Sequence, residues 1–350
     1  MDGEWRGMSM ARNDADSGVE QGADETAIAV MDVHAAPVRV LVGICTFRRP
    51  DGLRALLTGV ASQQFTQVAR PHVGVLVVDN DCDPTIEALT AVLATDLALD
   101  VRYVGESRRG IAQARNAVLA GLADDADWLL FIDDDEVPRV NWLEEMLVAT
   151  QKSNAVGVSG LVLAGAVPGY PRWVRDGRFF TSPRGKRDAD YDDVAFGVMG
   201  NFMVNAVFLR RHGLRFDERL GLVGSEDKAF FGALRKLGGG MTYTSRAVAE
   251  HFVPASRATL RYLLLREFRV GCGRGLALRF SRPGATAYAA FVTRALLRLI
   301  TDTLMLPATT LMGLLSHNRF DRMRPMFKVV QWAGRLYGVV GMRYEQYLKD

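Results

Sequence analysis

The sequence has few of the features that would assign it at once to a class of protein. It contains only three cysteines among 350 residues, namely Cys45, Cys82 and Cys272. Their odd number and wide spacing indicate neither a disulfide framework nor a cysteine metal site, and favour a reducing compartment. Neither a Gly-x-Gly-x-x-Gly motif after the first predicted strand nor a Gly-Lys-Ser/Thr phosphate loop occurs. Their absence argues against dinucleotide oxidoreductases and P-loop NTPases.

Long hydrophobic runs are missing as well. The segment most like a membrane span, 285–316, is interrupted by Arg294, Arg298 and Asp302, which leaves only 303–316 uncharged. Because spanning a bilayer takes about 20 apolar residues, this segment is expected to lie on a membrane surface. The alternative is a helical hairpin that packs on the protein or at a dimer contact. The acidic N-terminus, with its short apolar run, predicts no secretory signal.

The composition is that of a globular enzyme, but its charge is unevenly distributed. Hydrophobic residues make up 49% of the chain and charged residues 24%, which argues against disorder, collagen and a polytopic membrane protein. Residues 1–36 hold eight acids and two arginines, whereas 251–350 hold sixteen Lys/Arg and five acids. The first segment predicts a disordered acidic tail. The basic end predicts an anionic partner, which on charge alone could be lipid, a phosphorylated ligand or nucleic acid.

Short β-rich runs alternate with helical patterns from Pro37 onward. Strands are predicted at 38–44, 73–78, 101–104, 128–132 and 198–204 and before His251, with helices at 53–64, 85–94, 111–123, 142–151, 227–237 and 259–269. An apolar run at 155–163 follows the fourth of these helices. This order predicts an α/β fold whose mostly parallel sheet is covered by helices on both faces. The cluster Gly271-x-Gly273-x-Gly275 is placed after the last of these helices, outside the context of a phosphate loop. Since ligands of such sheets lie at the carboxyl ends of strands, the residues there are the candidates for chemistry.

Four consecutive acids, 133–136, follow the predicted strand 128–132 directly. Like charges this close raise each other's pKa unless a cation offsets them. Carboxylates without soft ligands nearby suit Mg²⁺ or Mn²⁺ shared with phosphate oxygens. A solvated turn after a strand is the alternative interpretation.

Polar residues at two further places in the chain are expected at the same edge of the sheet, where the strands end. Asp79 and Asn80 end the second strand, where they could contact a nucleotide or form an ordinary turn. Arg115 lies near the start of the third helix, where its guanidinium could meet a nucleotide, brace carboxylates or form a structural ion pair.

Two acids and a histidine in the second half of the chain complete the set. Ser225 is a candidate helix N-cap, followed by Glu226 and Asp227 in the first turn, where the helix dipole favours negative charge. The two acids could therefore serve only as capping residues, or one of them could be a general base for an incoming hydroxyl. His251 could be a core residue or could complete a carboxylate metal site.

Together these residues resemble the inverting family 2 glycosyltransferases, which have the A-type nucleotide-diphospho-sugar transferase (GT-A) fold. The resemblance covers about 37–275 and is closest to bacterial exopolysaccharide transferases of the succinoglycan-biosynthesis type. It is carried by Cys45-Thr46-Phe47-Arg48-Arg49-Pro50, Val78-Asp79-Asn80, Gly110 with Ala114-Arg115-Asn116, Asp133-x-Asp135 with Glu136, Gly200-Asn201, Glu226-Asp227 and His251. It implies a Rossmann-like mixed, mostly parallel sheet flanked by helices, with amphipathic helices at the C-terminal end.

The resemblance also implies a role for each matched residue. The nucleotide would be bound by Thr46, Arg48, Asp79, Asn80, Arg115 and Asp133. Mg²⁺ or Mn²⁺ would be held by Asp133, Asp135 and His251, with Asp135 the principal ligand. Asp227 would be the catalytic base beside Glu226, and Asn201 and Trp173 would contact the donor sugar or the acceptor. The cluster reads Asp-Asp-Asp-Glu where Asp-x-Asp-Asp is usual, so which acids touch the metal stays open.

The implied reaction is inverting transfer of one sugar from a nucleotide-diphospho-sugar, expected to be a UDP-sugar. The implied acceptor is a hydroxyl of a polyprenyl-diphosphate-linked glycan in cell-surface polysaccharide synthesis. Single addition is favoured because Gln331-Trp332 does not match the Gln-x-x-Arg-Trp signature of processive synthases. A sugar-1-phosphate nucleotidyltransferase is the alternative enzyme, although 45–50 contains no glycine. A membrane-associated scaffold that retains a transferase fold is the alternative without activity.

The predicted organisation has three parts. They are the tail 1–36, a glycosyltransferase domain 37–280 with a nucleotide-binding half 37–150 and an acceptor half 151–280, and a basic amphipathic helical region 281–350 that associates with membrane. Arginines on the polar face of such helices favour an anionic lipid surface. The expected location is cytoplasmic, at the inner face of the plasma membrane. No nucleic-acid partner is expected, since no nucleic-acid motif occurs.

Overall fold

The structure is a computed structural model. It describes residues 37–165, 171, 173–174, 179–181, 190–315 and 319–344. The predicted tail 1–36 lies outside the described residues, as does much of the loop 165–196.

Eight strands in the described residues form one mixed sheet. They are β1 (Arg39–Thr46), β2 (His72–Asp79), β3 (Asp100–Gly105), β4 (Trp128–Asp133), β5 (Glu136–Pro138), β6 (Gly157–Ala164), β7 (Asn201–Asn205) and β8 (Met241–His251). Their spatial order is β3-β2-β1-β4-β7-β6-β8-β5. The first four strands in this order are parallel, as are β6 and β8, whereas β7 is antiparallel to both neighbours and β5 to β8. The prediction of a mixed, mostly parallel sheet is confirmed.

Helices cover both faces of this sheet. Ten α-helices lie in the described part of the chain: α1 (Pro50–Ala61), α2 (Pro84–Asp96), α3 (Ile111–Ala120), α4 (Trp142–Lys152), α5 (Ala206–His212), α6 (Glu226–Lys236), α7 (Leu260–Phe280), α8 (Ala285–Leu304), α9 (Leu306–Leu315) and α10 (Arg319–Val339). Side chains of β1 alternate between the faces. Val42 and Ile44 join a core with α1, α2 and α4, and Leu41 and Cys45 join a second core with α3, α5 and α6.

The sequence patterns predict neither β5 nor α5. β5 has only three residues and exists because it pairs with β8, where Glu136 lies opposite His251. α5 begins where the Asn205 side chain accepts a hydrogen bond from the Phe208 backbone N–H at 2.8 Å, and it ends at Gly213 in the left-handed region. Both elements depend on a partner or a cap, which explains why apolar periodicity does not reveal them.

The placement of the glycine cluster after a helix is wrong, because Gly271, Gly273 and Gly275 lie inside α7. A glycine costs a helix about 1 kcal/mol relative to alanine, so another interaction must favour helix here. The helix α10 lies against α7, and a Cβ at Gly271 or Gly275 would overlap the α10 backbone. Gly334 and Gly338 of α10 face the α7 backbone in the same way. The glycines therefore allow the two helix backbones to touch.

The predicted C-terminal amphipathic helices are present as α8, α9 and α10. No helix within the described ranges is long and apolar enough to cross a membrane. One face of α8 packs inward, where Ala295 is buried and the Trp332 indole N–H donates to Asp302 at 2.9 Å. The other face and the start of α9 expose large apolar side chains: Leu296, Leu297, Ile300, Leu304, Met305 and Leu311.

Candidate active site

The turn after β1 holds the acids that follow β4, because these parallel neighbours end at the same edge. The Thr46 hydroxyl donates to Asp134 at 3.0 Å, and the Phe47 backbone N–H donates to the same carboxylate at 3.3 Å. The Arg49 guanidinium donates to Asp134 at 2.6 Å and to Asp135 at 2.7 Å. Burial raises the pKa of Asp134 to about 6, against the charge of Arg49. Asp134 therefore stabilises the turn. The hydroxyl of Thr46, a residue predicted to bind nucleotide, is engaged in this hydrogen bond.

Asp135 and His251 meet because β5 pairs with the end of β8. The His251 Nε2 lies 3.4 Å from the Asp135 carboxylate, and the Phe252 backbone N–H donates to the Asp135 carbonyl at 2.8 Å. Burial would raise the pKa of Asp135, but the hydrogen bond and charge of His251 and the charge of Arg49 outweigh it and hold the pKa at about 2. The structure thus brings together two of the three predicted metal ligands.

Arg115 links the acids of β4 to those at the start of α6. Its guanidinium donates to Asp133 at 3.1 Å and to Glu226 at 2.7 Å, and its side chain is only 6% exposed. Burial raises the pKa of Glu226 to about 7, against the charge of Arg115 and aided by that of Asp227. A single buried cation therefore joins a predicted nucleotide and metal residue to the predicted catalytic pair.

The turn that begins α6 has an uncommon backbone. Ser225 stands at the N-cap position, but its side chain makes no capping hydrogen bond and its φ is 76°. The expected serine cap is therefore not formed. Asp227 follows in the first turn, partly exposed, and accepts a hydrogen bond from the Lys228 backbone N–H at 2.7 Å. This carboxylate is the more accessible of the two acids.

Gly200, which directly precedes β7, packs against the acid cluster. A Cβ at this position would lie 2.6 Å from an Asp133 oxygen and 2.8 Å from a Glu136 oxygen. Glu136 is buried, one of its oxygens has no hydrogen-bond partner among the described residues, and burial raises its pKa well above the usual range. Only glycine fits here without displacing these carboxylates.

Asp79 and Asn80 are buried in the turn after β2. The Asp79 carboxylate accepts from two backbone N–H groups of the following turn, at 3.0 and 2.7 Å, and from the Tyr103 hydroxyl at 3.1 Å. Asn80 donates to two carbonyls of the loop before α3 and accepts from the Gly110 N–H at 2.8 Å. Both predicted nucleotide residues therefore shape the loops around the edge, and their side chains have protein partners.

Arg48 lies at the exposed rim of the same edge. It pairs with Asp81 at 2.6 Å, and its guanidinium lies 4.9 Å from the centroid of the Phe47 ring. Arg109 stacks on the same ring at 4.0 Å. This rim combines positive charge with an aromatic ring, which suits a nucleotide.

The two residues predicted to contact sugar or acceptor have different surroundings. Asn201 is fully buried; it accepts from the Trp142 indole N–H at 2.8 Å and donates to the carbonyls of Leu161 and Ala247. These bonds tie strands together and leave the side chain no route to a ligand in this arrangement. Trp173 is partly buried in an apolar cluster, with its ring 5.7 Å from that of Phe179.

Among the described residues of the acid cluster and its contacts, the predicted set lacks Arg49, Asp134, Glu136 and Gly200. All four lie within segments that carry the resemblance. Their roles depend on partners from other strands, so the motifs alone do not reveal them.

The donor set suits a hard divalent cation that is shared with phosphate. Asp133 is 40% exposed and Asp135 lies beside His251. Within the described residues, no three histidine, cysteine or acidic side chains converge as a ready-made metal centre. Carboxylates that supply part of a coordination shell, with phosphate oxygens and water completing it, are the usual arrangement for Mg²⁺. The residues present therefore fit such an ion.

Comparisons with known proteins show the family of the chain. Residues 41–213 match the family model described as Glycosyl transferase family 2. Over 238 residues the chain is 33% identical to the succinoglycan biosynthesis protein ExoM of Rhizobium meliloti (strain 1021), covering 68% of this chain and 74% of that protein. The chain therefore belongs to glycosyltransferase family 2 and is a glycosyltransferase, as the residue pattern predicts.

The chain was also compared with solved structures. The mannosyltransferase PcManGT from Pyrobaculum calidifontis, solved in complex with GDP-Man and Mn²⁺, superposes with a TM-score of 0.55 at 17% identity, over 87% of this chain and 90% of that chain. S. aureus TarS 1-349 matches with a TM-score of 0.48 at 14% identity, over 85% of this chain and 92% of that one. The likeness to PcManGT confirms the predicted GT-A fold.

Proposed function

We propose that the chain transfers one sugar, with inversion, from a nucleotide-diphospho-sugar to a hydroxyl of a polyprenyl-diphosphate-linked glycan in cell-surface polysaccharide synthesis. A UDP-sugar is the proposed donor. One observation carries the proposal: buried Arg115 joins Asp133, at the end of β4, to Glu226, at the start of α6. A capping role alone would not require this link between acids on distant elements.

On the donor side, Arg48 and the Phe47 ring would border the nucleotide, and Asp133 and Asp135 would face its diphosphate. Mg²⁺ or Mn²⁺ held by Asp133 and Asp135, with His251 as a further ligand, would offset the negative charge of the leaving diphosphate. The similar fold of PcManGT, solved in complex with GDP-Man and Mn²⁺, supports a nucleotide-sugar donor and a divalent cation. Arg115 stabilises the Asp133 carboxylate in a half-exposed position.

On the acceptor side, Asp227 is the proposed base. It lies in the first turn of α6 and is partly exposed, and Glu226 beside it is buried against Arg115. Asp227 takes the proton from the acceptor hydroxyl, whose oxygen attacks the anomeric carbon from the side opposite the diphosphate. A bond forms between that oxygen and the anomeric carbon while the bond to the diphosphate oxygen breaks, so one displacement inverts the configuration.

A lipid-linked acceptor would place the enzyme at the inner face of the plasma membrane. The relationship to a succinoglycan biosynthesis protein supports a polysaccharide acceptor. The exposed apolar face of α8 and α9, near Arg294 and Arg298, is suited to an anionic membrane surface. The protein would then work as a peripheral membrane enzyme.

The test separates donor binding from transfer. A thermal-shift screen of UDP-glucose, UDP-galactose, UDP-GlcNAc and GDP-mannose, each with Mn²⁺ or Mg²⁺, identifies the donor, and hydrolysis of that donor measures turnover. Asp227→Asn should keep the donor-induced shift while turnover falls at least about 100-fold, because the base is lost. Asp135→Asn should lose the metal-dependent part of the shift.

Asp96→Asn, at an exposed acid of α2, is the matched control and should behave as the wild type. Normal turnover in Asp227→Asn would remove the base assignment. Donor binding without turnover in the wild type would favour the scaffold, and synthesis of a nucleotide sugar from a sugar-1-phosphate would favour the nucleotidyltransferase.

A further inference from the structure

We propose that Gly273 is a positioning residue for the transfer reaction. Its lack of a side chain lets α7 lie directly against Gly224 and Ser225, the turn that sets the position of Glu226 and Asp227. The inference rests on the proposed role of Asp227 as base, and it assigns a function to a glycine motif that no phosphate loop explains.

The three glycines of α7 contact two different neighbouring segments. Gly271 and Gly275 are four residues apart and share one helix face, which contacts α10. Gly273 lies about 200° around the helix from each of them and faces the Gly224–Ser225 turn. A Cβ at Gly273 would lie 2.6 Å from the Gly224 carbonyl oxygen and 2.7 Å from the Ser225 hydroxyl. Thus α7 is held between α10 and the turn that begins α6.

The contact on the turn extends beyond Gly273. Cys272 and Leu276 of α7 are buried in one cluster with Leu220 and Val223, which immediately precede the turn. The backbone N–H of Gly224 donates to the Leu220 carbonyl at 2.9 Å. The segment leading into α6 is therefore anchored on α7 by apolar packing as well as by backbone contact.

The backbone of the turn needs such an anchor. Ser225 has a φ of 76° and Gly224 a φ of 84°, and Ser225 gains no capping hydrogen bond in return. A non-glycine residue in this left-handed region is strained and keeps that conformation only where its surroundings impose it. At Gly273 the surface of α7 lies directly against both residues of the turn.

A change in the position of the turn would affect catalysis because the turn is connected to the acid cluster by Arg115. Glu226 directly follows the turn and is bonded to Arg115 at 2.7 Å, and Arg115 in turn contacts Asp133. A displaced turn would move Asp227 relative to the donor while the rest of the sheet stayed in place. Misplacing a reacting group by about 1 Å can lower a rate about 100-fold.

The test is Gly273→Ala in the full-length chain, with the donor from the screen and its divalent cation. The added methyl must displace the turn, so kcat for donor hydrolysis should fall about 10- to 100-fold. The KM for the donor should change less than about three-fold. A role in stability alone would lower the melting temperature and leave kcat of the folded enzyme unchanged.

Gly232→Ala is the matched control, because Gly232 lies in α6 beyond its first turn and a Cβ there meets nothing within 4 Å. It should keep wild-type kcat. If Gly273→Ala yields no folded protein, Ser225→Gly replaces it: α7 is unchanged, backbone strain is relieved, and the contact from Ser225 is lost. The melting temperature should then hold or rise while kcat falls.

Wild-type kcat in folded Gly273→Ala, or in Ser225→Gly where that variant is needed, overturns the positioning role. Asp227→Asn, assayed in parallel, separates the two proposals. An inactive Asp227→Asn with a fully active Gly273→Ala rejects the positioning role alone, whereas an active Asp227→Asn rejects the base assignment.

Discussion

At the scale of single residues, the four consecutive acids acquire four different environments. Asp133 is half exposed against Arg115, and Asp134 is enclosed by the turn after β1. Asp135 faces His251, and Glu136 is buried beneath Gly200. The motif predicts an acid cluster at a strand end, but it cannot distinguish its members, because their partners come from β1, β7, β8 and α3.

Replacing Arg115 should be strongly destabilising. Arg115→Met leaves the buried Glu226 carboxylate and Asp133 without their cation, and losing one partner of a buried pair costs about 3–5 kcal/mol. Arg39→Met removes an ion pair with Asp125 in which both side chains are more than half exposed, so it should cost less than about 1 kcal/mol. Urea unfolding of both variants gives the two free energies of unfolding. Equal costs would contradict the bridging role of Arg115.

At the scale of elements, most strands and helices were predictable, and the exceptions share one cause. Strands 38–44 and 73–78 and helix 142–151 agree with β1, β2 and α4 to within a few residues, because their periodicity is local. The helix predicted to end at 269 continues to Phe280 as α7. Its glycines oppose helix formation locally, but contact with α10 and with the Gly224–Ser225 turn overrides that preference.

The α7–α10 contact should tolerate no extra methyl group. In Gly338→Ala the new Cβ would overlap the Cys272 backbone, and overpacking of this kind costs about 1–3 kcal/mol. Gly232→Ala should instead be neutral or stabilise by up to about 1 kcal/mol, since the added methyl meets no neighbour. Chemical denaturation compares the free energies of unfolding of the two variants. Gly338→Ala as stable as Gly232→Ala would show that the helix backbones are not in close contact.

At the scale of the whole molecule, the basic C-terminal third contains two pairs of helices with different surroundings. α7 packs against α10 and against the turn that begins α6. α8 and α9 present an apolar face, with Leu304 71% exposed. The sequence alone left membrane association and a packed helical hairpin as alternatives. In the structure the close helix packing belongs to α7 and α10 and the exposed apolar side chains to α8 and α9, and membrane association stays a prediction.

Membrane binding should depend on this exposed face. The triple change Leu297→Ser, Ile300→Ser and Leu304→Ser should weaken binding to phosphatidylglycerol vesicles more than about 100-fold, since each large apolar side chain contributes about 1.5–3 kcal/mol when buried. The melting temperature should change little, because all three side chains are exposed. Vesicle co-sedimentation measures the effect, with Val92→Ser and Val207→Ser, exposed elsewhere, as the control. Unchanged sedimentation of the triple variant would contradict the proposal.

The sequence by itself determined what depends on neighbours in the chain. Alternating strands and helices, acids at the end of a strand and the order of the motifs were enough for the fold class and the family. Tertiary structure alone decided which side chains meet: Arg115 between Asp133 and Glu226, His251 beside Asp135, and Gly273 against Ser225. Periodicity reports local burial, whereas these contacts join residues far apart in the chain, and only the packing of the sheet and of α7 brings them together.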